Sequence, residues 1–178
     1  SCNENCPDFI LEICTARFRV PYVCNGCESI GKCSLLKNIY DAEHAHINNL
    51  FNTINDIERV GDHIENIAEL GQFKQSNNLN FSEDAVIELR EMFSKCKDAF
   101  RNAMISFRNE DIEAAKLVGS IEDEVDQLEK KNRTNHFDRL NKNICITASG
   151  IVFLDAISNL ERVSDHSFNI SKNILDEL

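Results

Sequence analysis

Three pairs of acidic residues with the same spacing are candidate metal ligands. They are Glu58 and Asp62, Glu122 and Asp126, and Glu161 and Asp165. In each pair the Glu precedes the Asp by four positions, which puts both carboxylates on one face of an α-helix, one turn apart. Carboxylate oxygens suit Mg²⁺, Mn²⁺, Ca²⁺ and iron better than zinc. The alternative is that the pairs arise by chance on acidic, solvated helices, as most single pairs of this kind do.

Two of the pairs lie in an internal repeat. The ten residues Glu58–Ile67 recur 103 positions later as Glu161–Ile170, with seven identical positions. The identical residues include Glu, Arg, Asp and His, which the packing of a core does not by itself require. The repeat therefore preserves a chemical surface as well as a helix. Its histidines, His63 and His166, fall on a different helix face from the acids, which favours a surface or supporting role over direct ligation.

The pair Glu122 and Asp126 lies at a height that matches the last pair. If a turn near Asn143 joins two antiparallel helices, this pair precedes the turn by nearly the same distance along the chain at which Glu161 and Asp165 follow it. The two pairs are therefore expected to meet across one interface. At about 4 Å each like-charged pair repels by roughly 4 kcal/mol at an effective dielectric constant near 20. Protonation, displacement into water or a bound cation must relieve that repulsion.

The composition favours an all-α protein with an acidic body. Among the 178 residues there are six Gly, two Pro and no Trp, and the net charge is −11. Residues 1–40 carry four basic and four acidic side chains, whereas residues 41–178 carry 15 basic and 26 acidic ones. Because an acidic body repels phosphate backbones and anionic membranes, we expect neither nucleic-acid binding nor membrane insertion. No segment has the pattern of a signal peptide or a membrane span, so a soluble, cytoplasmic protein is expected.

Apolar residues at helical spacing predict an antiparallel three-helix bundle, preceded by one further long helix and a small Cys-rich module. Gly71 is the expected end of the first helix, and its unpaired apolar face predicts self-association. Three aromatic residues, Phe93, Phe100 and Phe153, fit core positions. The domains expected are a Cys-rich module at 1–40 and a helical domain at 41–178. The four helices are expected at about 40–70, 82–107, 111–141 and from 143 to the C-terminus.

The N-terminal module is a candidate zinc site. Six of the eight cysteines fall at or before Cys33, and only one pair has the C-x-x-C spacing. Thiolates at this density in a reducing compartment favour zinc, and a zinc ion would hold together a module too small to fold by burial alone. A reduced, loosely ordered appendage and disulfides remain alternatives. The candidate ligands are Cys24, Cys27 and Cys33 with one of Cys2, Cys6 or Cys14, of which we take Cys14.

The repeated segments resemble a known family. "NDIERVGDHIENIAEL" (55–70) and "SNLERVSDHSFNISKNI" (158–174) are similar to the repeated helices of PhoU-like domains. The segment "FSEDAVIELREMF" follows the first copy, and "EDEVDQLEKKNRTNHFDRL" precedes the other. Both are most similar to the C-terminal PhoU domain of bacterial sodium/phosphate cotransporters. The resemblance covers about residues 45–178.

The resemblance implies a non-catalytic regulator of phosphate uptake and phosphate signalling that binds metal ions, iron among them. Its implied partners are a phosphate transporter or its signalling proteins, which would make it membrane-associated through the transporter, and a homodimer. One complete metal site would comprise Glu122, Asp126, Glu161 and Asp165, and Glu58 with Asp62 would be half of a second. In that family two further helices precede the one that bears Glu58. The Cys-rich module takes their place here, so the family pattern does not supply a partner for Glu58 and Asp62.

Two other classes of function compete with this one. Residues 1–46, with "CPDFILEIC" and "PYVCNGCESIGKCSLLKNIYDAEHAH", resemble the Cys-rich module of insertion-sequence transposases. That likeness supports the alternative of a nucleic-acid-binding module fused to a helical domain, against which the charge argues. A di-metal enzyme is the other alternative, because carboxylate-rich bundles can host oxygen chemistry. Such sites usually add Glu-x-x-His ligation, which neither repeated motif contains, so we expect no enzyme.

Overall fold

The computed structural model describes residues 34–176, and their regular structure is entirely helical. The compact unit that carries the candidate acids extends over Leu50–Leu178. All-α architecture is therefore confirmed, while the Cys-rich module, with Cys14, Cys24, Cys27 and Cys33, lies outside the described residues. The helices are α1 (Ser34–Ser76), α2 (Glu83–Asn109), α3 (Ile112–Asn141) and α4 (Thr147–Asp176).

Short polar caps begin two of the helices. The Ser82 hydroxyl accepts a hydrogen bond from the Ala85 backbone N–H at 3.3 Å, and Glu83 and Asp84 occupy the first turn of α2. Asp111 caps α3 in the same way, accepting from the Ala114 N–H at 3.0 Å. Such caps satisfy backbone donors that have no partner within the helix, and first-turn acids favour the helix dipole. The two helices therefore begin within one residue of the starts that the sequence predicts, about 82 and 111.

The expected end of the first helix at Gly71 is wrong. Helix α1 continues through Gly71 to Ser76, and the stop is Asn78, which takes the left-handed conformation (φ 52°). Beyond it the Leu79 N–H donates to the Lys74 carbonyl at 3.0 Å, which satisfies a carbonyl of the last turn. A glycine inside a helix costs only about 1 kcal/mol relative to alanine, so it does not end a helix by itself. Helix α1 also begins at Ser34, before the expected start, since no breaker separates the two positions.

Helices α2, α3 and α4 each pack against the other two and form the three-helix bundle. Phe153 is fully buried and Phe100 packs against the core, as predicted, but Phe93 is 55% exposed and its core assignment is wrong. Phe93 directly follows the buried Met92, so it is rotated about 100° away from the buried stripe of α2. The core side chains of α2 are Ala85, Met92, Cys96, Ala99 and Ala103.

A buried ion pair joins α2 to α3. Two guanidinium nitrogens of Arg139 donate to the two carboxylate oxygens of Glu88, at 2.9 and 2.8 Å. The side chains are 8% and 12% exposed, and the Asn135 amide donates to the same carboxylate at 2.9 Å. The guanidinium also lies over the Phe153 ring, 5.1 Å from its centroid. Two parallel hydrogen bonds and a ring contact fix the orientation of both helices at this end of the bundle.

Candidate metal centre

Three of the predicted acids converge between α3 and α4. Carboxylate oxygens of Glu122, Asp126 and Asp165 lie within 4.8 Å of one another, and all three side chains are half-buried. We call these three residues the carboxylate cluster. The loop between the two helices is short, so the helices run antiparallel and residues equally far from it come level, as the sequence spacing predicted. Buried neighbours on α3, Ile121 and Val125, hold that helix against the core.

The fourth predicted ligand, Glu161, lies beside the carboxylate cluster rather than within it. Burial raises the pKa of its carboxyl group, and the charges of Asp165 and Asp126 raise it further, so it lies close to both. Arg162 approaches Glu161 at 3.5 Å. The described geometry therefore brings together three of the four predicted residues and leaves the fourth adjacent.

The carboxylate cluster is electrostatically strained. Burial is the largest cause of a raised pKa at Glu122, followed by the charges of Asp126 and Asp165. At Asp165 burial again raises the pKa most, and Arg162 partly offsets it. Raised carboxyl pKa values mean that the folded protein favours a proton or another cation at these oxygens over bare negative charges. The described cation that pairs directly with the cluster is Lys130, 3.2 Å from Asp126, and its side chain is 72% exposed.

The third pair does not join the carboxylate cluster. Glu58 and Asp62 lie exposed on α1, and Asp62 faces Arg59 of its own helix at 3.9 Å. Among the described residues, no third metal-ligating side chain joins Glu58 and Asp62 in a cluster. Their assignment as half of a second site stays a prediction.

The repeated histidines meet where α1 packs against α4. The His63 and His166 rings are stacked, with centroids 5.6 Å apart and planes inclined by 22°. His63 Nδ1 lies 2.9 Å from Asn159 Oδ1, and His166 Nδ1 lies 2.9 Å from Asp56 Oδ1. Asp56 and Asn159 occupy the same place in the two copies of the repeat, so the contacts are related by an approximate twofold axis.

Sequence reasoning missed this histidine pair, although a signal for it was present. Extending the repeat two residues toward the N-terminus aligns Asp56 with Asn159, each a polar partner for the other copy's histidine. The pair explains why both copies of the repeat contain a histidine that is not a metal ligand. The two histidines contact each other and so join the two copies. The Asn66 amide also donates to Asn159, at 3.3 Å.

Comparison with known proteins identifies the segment that holds the carboxylate cluster. The family model described as the PhoU domain matches residues 89–174, which include all of α3 and most of α2 and α4. Residues 89–174 are a PhoU domain. Within this PhoU domain lie Glu122, Asp126, Glu161 and Asp165, whereas Glu58 and Asp62 lie before it.

Two curated relatives carry the PhoU name. The chain is 30% identical over 121 residues to a protein of Thermotoga maritima named phosphate-specific transport system accessory protein PhoU homolog 1, covering 68% of this chain and 51% of that protein. It is 24% identical over 126 residues to the PhoU homolog of Deinococcus radiodurans, covering 70% and 57%. The chain thus spans about half the length of the curated relatives it matches. No solved structure matches the chain.

The comparisons bear on the PhoU likeness alone. The closer likeness to the cotransporter tail and the transposase likeness of residues 1–46 stay predictions. Among the helices of residues 34–176, none has an apolar stretch long enough to cross a bilayer.

Proposed function

We propose that this chain is a metal-binding, non-catalytic regulator of phosphate uptake, in which the PhoU domain senses or signals rather than converts a substrate. The observation that carries the proposal is the convergence of Glu122, Asp126 and Asp165 inside the PhoU domain. The names of the relatives, accessory proteins of phosphate-specific transport systems, support phosphate transport as the process. A phosphate transporter or its signalling proteins are the proposed partners, at the cytoplasmic side of the membrane.

The carboxylate cluster fits a hard cation. Its donors are all oxygens, the ligand type that Mg²⁺, Mn²⁺, Ca²⁺ and ferric or ferrous iron accept. Two oxygens on opposite sides of Ca²⁺, each roughly 2.3–2.6 Å from the ion, lie about 5 Å apart, which matches a set confined within 4.8 Å. Glu122, Asp126 and Asp165 would hold the ion, and Glu161, one turn before Asp165 on α4, is the proposed fourth ligand. The bound ion would supply the positive charge that these acids lack.

The alternatives have less support. A di-metal enzyme usually adds a Glu-x-x-His ligand, and among the described residues no histidine belongs to the carboxylate cluster. A nucleic-acid-binding role conflicts with the net charge of −11 and has only the N-terminal likeness in its favour. The proposal also includes a second, structural metal site, in which the N-terminal cysteines up to Cys33 bind zinc.

Deleting the coding sequence of this chain from its own cell is expected to change the dependence of phosphate uptake on external phosphate. Uptake of radioactive phosphate at low and high external phosphate measures this. The wild-type gene and Asp123→Asn, whose exposed acid lies outside the carboxylate cluster, are expected to restore regulation. Asp165→Asn is expected not to restore it. Unaltered uptake in the deletion strain at both concentrations would contradict the proposed role.

A homodimer is expected through the outer face of α1. This face exposes large apolar side chains that no described element covers. Large exposed apolar patches on proteins mark interaction sites. Light scattering is expected to give twice the chain mass for the wild type and the chain mass for a Phe51→Ser/Ile54→Ser variant. A monomeric wild type at all concentrations tested would contradict it. The side chains are Phe51, Ile54 and Phe73, each more than half exposed.

A further inference from the structure

The structure contains a groove that none of the predicted metal ligands lines. Helices α1, α2 and α4 enclose an open groove of about 430 Å³. Apolar side chains line most of it, among them Leu70, Leu89 and Val152. Small-molecule sites in proteins begin at about 300 Å³ and are mostly apolar with a few placed polar groups. The groove therefore has the size and surface of a ligand site, and no residue of the carboxylate cluster lines it.

One wall of the groove contains a glycine. Gly71 lines it, and a Cβ atom added there would have no atom within 4 Å, so the wall is open at this point. The last turns of α1, which continue past this glycine, carry Lys74 to the groove. A helix that ended at Gly71 would keep Ile67 and Leu70 in the groove wall but would not bring Lys74 to it. The glycine expected to stop the helix is instead the place where a ligand can approach the helix backbone.

Two cations border the groove in a strongly acidic protein. Lys74 lies over the Phe81 ring, 5.1 Å from its centroid, and Arg90 is exposed. Neither makes an ion pair with any residue between 34 and 176. Against a net charge of −11, an apolar channel with two unpaired cations at its rim selects for a molecule with an apolar body and a negative end.

We propose that this groove binds a single fatty-acid chain, with its hydrocarbon tail along the apolar walls and its carboxylate toward Lys74 and Arg90. A fatty acid offers the one charge and the flexible apolar body that the groove matches. Binding is independent of the metal proposal, since none of Glu122, Asp126 and Asp165 lines the groove. The site gives the domain a second input, an acyl chain, alongside the cation expected at the acids.

Saturable binding of monomeric dodecanoate to the full chain, followed by isothermal titration calorimetry, tests the proposal. Each buried methylene contributes roughly fourfold in affinity, so octanoate is expected to bind at least about tenfold more weakly. Dodecanol, which lacks the charge, is expected to bind more weakly than dodecanoate. Binding of anionic phospholipid vesicles without binding of monomeric dodecanoate would assign the groove to a membrane surface and overturn the proposal.

Glycine variants separate the groove from the fold. Gly71→Leu puts a side chain into the groove and is expected to weaken dodecanoate binding at least about tenfold, because four carbon atoms replace ligand contacts. Gly61→Leu is the matched control, another exposed α1 glycine with no atom within 4 Å of an added Cβ, and is expected to bind like the wild type. Both variants are expected to keep the helical circular dichroism of the wild type, since leucine favours helix over glycine.

Charge variants locate the carboxylate. In Lys74→Glu/Arg90→Glu the affinity for dodecanoate is expected to fall at least about tenfold, and the affinity for dodecanol is expected to stay the same. Only the charged end of the ligand meets these side chains. Arg101→Glu, a reversal at an exposed α2 position away from the groove, is the control. Equal dodecanoate affinity in Gly71→Leu and the wild type, or equal loss of both ligands in the charge variant, would overturn the proposal.

Discussion

Asp165→Asn is expected to abolish metal binding by the chain when the protein is purified without chelator. The wild type is expected to carry roughly one ion per chain at the carboxylate cluster, and the variant roughly none. Asp165 is the ligand from α4 in a cluster whose other two members, Glu122 and Asp126, come from α3. An amide keeps the shape of the side chain but removes the negative charge. Mutating a residue that only hydrogen-bonds to a metal ligand already lowers metal affinity by about ten- to 100-fold. Direct loss of a ligand is therefore expected to cost at least about 100-fold.

The measurement is metal content by mass spectrometry, with Mn²⁺ titration of the chelator-treated protein for affinity. Asp123→Asn is the matched control, because it removes the same charge from an exposed acid outside the carboxylate cluster. The charge of Asp123 raises the pKa of Glu122, so the control also tests the effect of nearby charge alone. It is expected to retain the metal with less than about tenfold loss. Glu161→Gln is expected to fall between the two. Equal metal loss in Asp123→Asn and Asp165→Asn would show that general charge, not a defined site, binds the ion.

The carboxylate cluster could be predicted because it depends on two regular quantities. Helical spacing puts Glu122 and Asp126 on one face, and equal distances from a tight turn bring Asp165 level with them. Glu161 illustrates the limit of this reasoning. It lies one turn from Asp165 on α4. Because packed helices cross at an angle, residues of α3 and α4 that are level at one position are no longer level one turn away. Sequence spacing sets height but not the crossing angle.

Other features depend on contacts that no local pattern encodes. Phe93 is as apolar as Phe153, yet one is exposed and the other buried, because each helix can turn only one stripe to the bundle. The stacked His63 and His166 come from two helices that are distant in the chain, and the contact could be inferred only by extending the repeat to their polar partners. Lys74 reaches the apolar groove only because α1 continues beyond Gly71, where the sequence predicted its end.

The ion pair of Glu88 and Arg139 shows the same limit with the largest consequence for stability. Each residue alone matches an ordinary charged position on an amphipathic helix, and the two lie 51 residues apart. Only the packing of α2 on α3 makes them partners, and it also removes them from water. In the folded chain the carboxylate accepts from both Arg139 and Asn135, so its charge is fully compensated.

Glu88→Ala is expected to lower the free energy of unfolding by about 3–5 kcal/mol, because it leaves the buried Arg139 guanidinium without its counter-charge. That is a large part of the roughly 5–15 kcal/mol available to a domain of this kind. Chemical denaturation followed by far-UV circular dichroism measures the change. The control is Glu91→Ala, at an exposed position one turn along the same helix, for which a change within about 0.5 kcal/mol is expected.

A double variant distinguishes an unpaired charge from a loss of packing. In Glu88→Leu/Arg139→Met both charges are gone and apolar volume remains, so most of the stability lost in Glu88→Ala is expected to return. Apolar replacement works here because the Phe153 ring already forms one wall of the site and can pack against a methionine as it does against the guanidinium. If Glu88→Ala lowers the free energy of unfolding no more than Glu91→Ala does, water must reach Arg139 and replace the carboxylate. The ion pair then orients the helices but does not stabilise the fold.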